Sequence, residues 1–124
     1  MDPSVFSIDY RSRKPIYEQL VDSVCELLLC GIITADEQMP SVRAMSGELA
    51  INPNTIQKAY AELERRGIIY SIPGRGSFIS SNTTELTDTL KASILKEAEE
   101  KLSEAKNQGI GRDDILSVID RIWR

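Results

Sequence analysis

Apolar residues return every three or four positions along most of this chain, and breaks in that rhythm divide it into helices. Ile16, Leu20, Val24, Leu27 and Leu28 form one stripe, the spacing of a helix face that packs on a core. Pro15 suits the first turn, where a missing N–H costs nothing, and Gly31 suits the end. Val42, Met45 and Leu49 give a shorter inward side behind Ser41, a good N-cap. Asn52-Pro53 then restarts the chain as cap and first helical residue. Ile56, Ala59, Tyr60 and Leu63 continue at helical spacing to Arg66, with Gly67 as the stop. The short gap between these last two helices is the length of a helix-turn-helix connection.

Beyond Gly67 the period shortens. Ile68-Ile69-Tyr70-Ser71-Ile72 and Ser77-Phe78-Ile79-Ser80 are rich in β-branched and aromatic residues and flank Pro73-Gly74-Arg75-Gly76. This predicts a hairpin with a loop of about four residues. The order helix, helix, turn, helix, hairpin is a winged helix-turn-helix, assigned to residues 1–80. Val5–Tyr10 reads as a short strand or an extended arm, and Thr34–Glu37 as a polar connection.

Ser80–Thr84 reads as a linker and helix start. Leu86, Leu90, Ile94, Ala98, Leu102 and Ala105 then predict a helix of about two dozen residues. Asn107–Gly111 breaks it, and Asp113-Asp114 opens a last helix carrying Ile115, Leu116, Val118, Ile119, Ile122 and Trp123. Two helices of that size cannot bury both apolar faces on each other alone. The fold class expected is therefore mainly α with a small β-hairpin: the winged helix-turn-helix plus a short two-helix C-terminal dimerisation region, residues 81–124. Its expected interface is Leu86, Leu90, Ile94, Ile115, Leu116, Ile119, Ile122 and Trp123. The alternative is a tail that folds back on its own winged domain.

The third helix raises a chemical question. Asn54, Thr55, Gln57 and Lys58 crowd its start, and no acid appears before Glu62. Carboxylates usually favour that positive end of the helix dipole, so the pattern suits a negatively charged partner. In a helix-turn-helix the second helix enters the major groove of DNA, N-terminal end first. Asn and Gln can pair bidentately with adenine, and Thr can contact a thymine methyl. Lys58 can take a phosphate or a guanine, and Arg43 can reach the backbone or a guanine edge. Arg75, between Gly74 and Gly76, is suited to a minor groove. Plainer roles stand beside these: Asn52 as a cap, the glycines as turn formers, and Arg65 and Arg66 as complements of the dipole at the helix end.

Composition narrows the function classes. The chain has 124 residues, a formal net charge of −4, two cysteines and no histidine. Lacking His, it lacks the commonest general base and the commonest metal ligand. Cys25 and Cys30 point about 140° apart on a helix, which disfavours a mutual disulfide or a shared metal. There is no Walker-type loop, so no enzyme, metal or cofactor is expected. No membrane span or secretion signal is visible, which makes the cytoplasm the default location. Over residues 41–80 the balance is +2, from Arg43, Lys58, Arg65, Arg66 and Arg75 against Glu48, Glu62 and Glu64. The acidic total leaves room for a winged-helix protein-interaction module without DNA binding. Local placement favours DNA.

The ordered run MPSVRAMSGELAINPNTIQKAYAELERRGIIYSIPGRGSFIS resembles the DNA-binding domain of the GntR family of bacterial transcription regulators. The preceding PIYEQL, the NPNT-KAY-ELE core and the short tail resemble its YtrA-type subfamily. The resemblance implies a dimeric regulator, most simply a repressor, that binds an inverted-repeat operator in double-stranded DNA, with transporter operons as a frequent target of that subfamily. By position, the family's DNA contacts fall on Arg43, Asn52, Asn54, Thr55, Gln57, Lys58, Gly74 and Arg75. Other branches carry arginine where this chain has Gln57 and Pro53, so their operators do not transfer. The tail is too short for the large effector domains of other branches. No polar pocket for a small-molecule effector is apparent, and the effector stays open.

Overall fold

The computed structural model describes every residue, Met1–Arg124, in two compact units, Met1–Asp88 and Thr89–Arg124. The first unit opens with a 3-10 turn, Pro3–Val5, capped by Asp2, whose Oδ1 accepts from Ser4 N at 2.9 Å. No strand forms over Val5–Tyr10. Phe6 is buried as an anchor instead, and side chains of the first helix take up the backbone. Ser7 N donates to Ser23 Oγ at 3.1 Å, and Asp9 N donates to Gln19 Oε1 at 2.8 Å. Gln19 Nε2 returns a bond to Asp9 O at 3.1 Å. The segment is thus an arm tied to the first helix by side-chain hydrogen bonds in place of a ladder.

Three helices follow: α1 (Ile16–Leu29), α2 (Val42–Leu49) and α3 (Pro53–Arg65). Ser41 Oγ accepts from Ala44 N at 3.0 Å and Asn52 Oδ1 from Asn54 N at 2.8 Å, so both caps act as the sequence predicts. Just past the end of α3, Gly67 has φ +74° and Ile68 N donates back to Leu63 O at 2.9 Å. That reverse bond across a left-handed residue satisfies the helix's last carbonyls and turns the chain into the hairpin.

The core lies between these helices and the base of the hairpin. Leu20, Val24 and Leu28 of α1, Met45 of α2, Ile56, Ala59 and Leu63 of α3, and Ile68, Ile69 and Ile79 at the base of the hairpin are all buried. Each is almost wholly removed from water, which stabilises by about 1.5–3 kcal/mol for a large aliphatic side chain. The hairpin pairs β1 (Ile69–Ile72) with β2 (Gly76–Ile79) antiparallel, Ile72 opposite Gly76. Its loop has three residues, because Gly76 joins the second strand.

The second unit carries most of α4 (Thr83–Asn107) and all of α5 (Arg112–Ile122). Neither helix has a buried residue. No helix of the chain is long and apolar enough to cross a membrane.

Candidate nucleic-acid interface

The turn between α2 and α3 is built by three adjacent residues. Ala50 takes left-handed backbone at φ +53°, Ile51 is buried, and Asn52 caps the next helix. Ser46 Oγ donates to Ile51 O at 2.6 Å, tying the turn to α2. From the other side, the Tyr60 hydroxyl of α3 donates to Pro40 O at 2.6 Å, just before α2. Burial pushes that hydroxyl well above the ordinary tyrosine range. The two helices are therefore held at both ends of the pair, which gives the start of α3 a fixed position.

That start is open. Asn54, Gln57 and Lys58 are exposed, Thr55 is half-buried, and the first turn carries no acidic residue. Asn52 is exposed, with its carboxamide oxygen committed to the cap; its amino group remains a donor. Arg43 is exposed on the first turn of α2. Lys58 is partly engaged: its Nζ lies 4.0 Å from the centroid of the Tyr17 ring on α1. Such a cation–π contact at an exposed site contributes about 0.5–1 kcal/mol. It orients the ammonium without neutralising it. One turn further along α3, Glu62 pairs with Arg65 at 2.5 Å and with Arg66 at 2.8 Å. Those two guanidiniums hold its carboxyl down at about 2. Arg65 and Arg66 are thus committed to their own helix end.

The hairpin forms the wing. Ile72-Pro73-Gly74-Arg75 is a tight turn with Pro second and Gly74 third at φ +78°, closed by Arg75 N donating to Ile72 O at 2.9 Å. This is the residue order a type II turn requires. Arg75 is exposed at the tip. The Tyr70 and Phe78 rings stack across the strands at 5.6 Å.

The wing has a third member that the hydrophobic pattern did not reveal. Residues 37–39 run along β2: Met39 N donates to Ser77 O and Ile79 N to Glu37 O, both at 2.8 Å. Gln38 bridges to Phe78. Just before it, Asp36 Oδ1 accepts from the hydroxyls of Tyr70 at 2.7 Å and Ser81 at 2.5 Å. The Ser81 and Tyr70 hydrogen bonds keep its carboxyl below the usual carboxylate range. The read polar connection is the lead-in to a short pairing segment.

The predicted contacts therefore gather on three elements: the start of α2, the first two turns of α3, and the wing tip. In the second unit the expected contact residues stay accessible. Leu90 and Ile115 are half-buried, and Ile94, Leu116, Ile119, Ile122 and Trp123 are exposed, Trp123 to 76%. Leu86, in the first unit, is half-buried. Leu95, Leu102, Ile110 and Val118 are exposed apolar residues too, and the sequence reading did not place them at an interface.

Residues 16–79, just over half of the chain, match the gntR family of bacterial regulatory proteins. The HTH-type transcriptional repressor YtrA of Bacillus subtilis is 44% identical over 93 residues, covering 75% of this chain and 72% of that protein. The HTH-type transcriptional regulator YhcF of the same organism is 35% identical over 111 residues, 89% of this chain and 91% of that one. Among solved structures, a GntR family transcriptional regulator from Listeria monocytogenes superposes with a TM-score of 0.79 at 33% identity, over 90% of this chain and 98% of that one.

Proposed function

Since the chain belongs to the gntR family of bacterial regulatory proteins, and is a DNA-binding transcription regulator rather than an enzyme, we propose that it represses transcription as a dimer seated on an inverted-repeat operator in the cytoplasm. The observation that carries this reading is the start of α3. A fixed helix end presents Asn54, Gln57 and Lys58 to solvent with no acid in its first turn. Asn54 and Gln57 read adenine edges in the major groove, and Thr55 contacts a thymine methyl or a phosphate. Arg43, Lys58 and the Asn52 amino group take phosphates, which fix register without reading sequence. Gly74 lets the wing approach closely, and Arg75 enters the minor groove. The apolar residues of α4 and α5 pair with their copies, setting two reading helices about one DNA turn, ~34 Å, apart.

Selection of bound duplexes from random sequences, followed by fluorescence anisotropy over a salt series, tests this. The expected product is a palindrome whose binding weakens steeply with salt. Gln57→Ala should lose about 1–3 kcal/mol of discrimination at one base position in each half-site. A uniform loss across all sites would move Gln57 to the phosphate group. Failure to enrich any duplex would end the reading.

A further inference from the structure

The wing tip is clamped by a residue outside the hairpin. Gln38 Nε2 donates to Arg75 O at 2.8 Å. The carbonyl can only accept, so the amide orientation is fixed by its partner. The neighbours Glu37 and Met39 are both bonded to β2, which holds the Gln38 backbone beside the strand. Gly76 makes room for the amide: a Cβ built there would come within 3.2 Å of Gln38 Nε2. With Arg75 N already bonded to Ile72 O, both backbone polar groups of the tip arginine are engaged. The Arg75 side chain itself is exposed.

From this we infer that Gln38 is a positioning residue for DNA binding: it holds the loop Pro73–Arg75 in the one backbone form that aims Arg75 outward. The inference rests on the reading of the wing as a DNA contact. Without the clamp the tip hangs between glycines at φ +78° and +110°, and both tolerate many conformations. Ordering that loop would then be charged to each binding event, which lowers affinity without removing a contact. Gln38 acts through Arg75, so its effect should exist only while Arg75 is present.

A double-mutant cycle on the full chain tests this, using a duplex recovered by selection with the wild-type protein. The four proteins are wild type, Gln38→Met, Arg75→Ala and the double variant. Methionine keeps the length of the side chain and removes the donor. Gln38→Met should bind about fivefold more weakly than wild type, and relax preference for the base pairs under the wing, with an unchanged melting temperature. In the Arg75→Ala background the same change should have no effect. An equal loss in both backgrounds would mean that Gln38 touches DNA itself or supports the fold generally, and would overturn the proposal. So would unchanged binding by Gln38→Met while Arg75→Ala is weak; the wing reading would then survive alone. Wild-type binding by Arg75→Ala would remove the wing from the interface, and the clamp's role with it.

Discussion

Tyr60 couples the core to the proposed reading surface through one bond. Its ring is 8% exposed, and its hydroxyl donates to the buried Pro40 carbonyl at 2.6 Å. Tyr60→Phe removes the donor and leaves that carbonyl without its partner, which costs about 1–3 kcal/mol. The expected result is a midpoint lower by several degrees in a thermal melt, with the apolar packing of the ring retained. An unchanged midpoint would mean that water replaces the hydroxyl there. Residues acting on their near neighbours were legible in the sequence, and residues acting across the fold were not. Asn52 was readable as a cap because its partner, Asn54 N, is two positions away. The contacts Tyr60–Pro40, Lys58–Tyr17 and Gln38–Arg75 span 20 to 41 positions, and no local spacing encodes them.

At the scale of elements, the short turn between α2 and α3 carries a cost that glycine would avoid. Ala50 has φ +53° and ψ +44°, left-handed backbone that a Cβ disfavours. Its N–H nevertheless donates to Ser46 O, and Ile51 behind it is buried, so the surroundings hold it there. Ala50→Gly should stabilise the protein by about 0.5–1 kcal/mol, the relieved strain outweighing the added freedom of the unfolded chain. Urea unfolding at constant slope would show it as a raised midpoint. A lowered midpoint would mean that unfolded-state entropy dominates. The helices and hairpin themselves were readable, because caps, a stop glycine and Pro-Gly punctuation are local signals. Val5–Tyr10 stayed open between strand and arm in the sequence because its mix of apolar and polar residues suits either. What decides between them is the hydrogen bonding offered by Ser23 and Gln19 on α1, which lies outside the segment.

For the whole molecule, the second unit poses the largest energetic question. Thr89–Arg124 is shorter than the roughly 40 residues below which domains seldom fold without help. It also leaves Leu95, Ile122 and Trp123 more than 60% exposed. Scattered apolar residues on a surface are ordinary, but a helical pair with none of its apolar side chains buried is the form expected of half an interface. If α5 contributes to a dimer, a carboxylate on its apolar side must be desolvated or must prevent association. Leu116→Asp combined with Ile119→Asp should therefore yield monomers in sedimentation equilibrium. The melting of Met1–Asp88 should be little changed, because its core residues all lie within that unit. Affinity for a palindromic duplex should drop by about 10²–10⁴, the advantage that linked half-sites gain from effective concentration. Affinity for a single half-site should stay where it was. A variant that remains dimeric would move the contact away from α5, and a monomer that binds the palindrome undiminished would separate dimerisation from operator recognition.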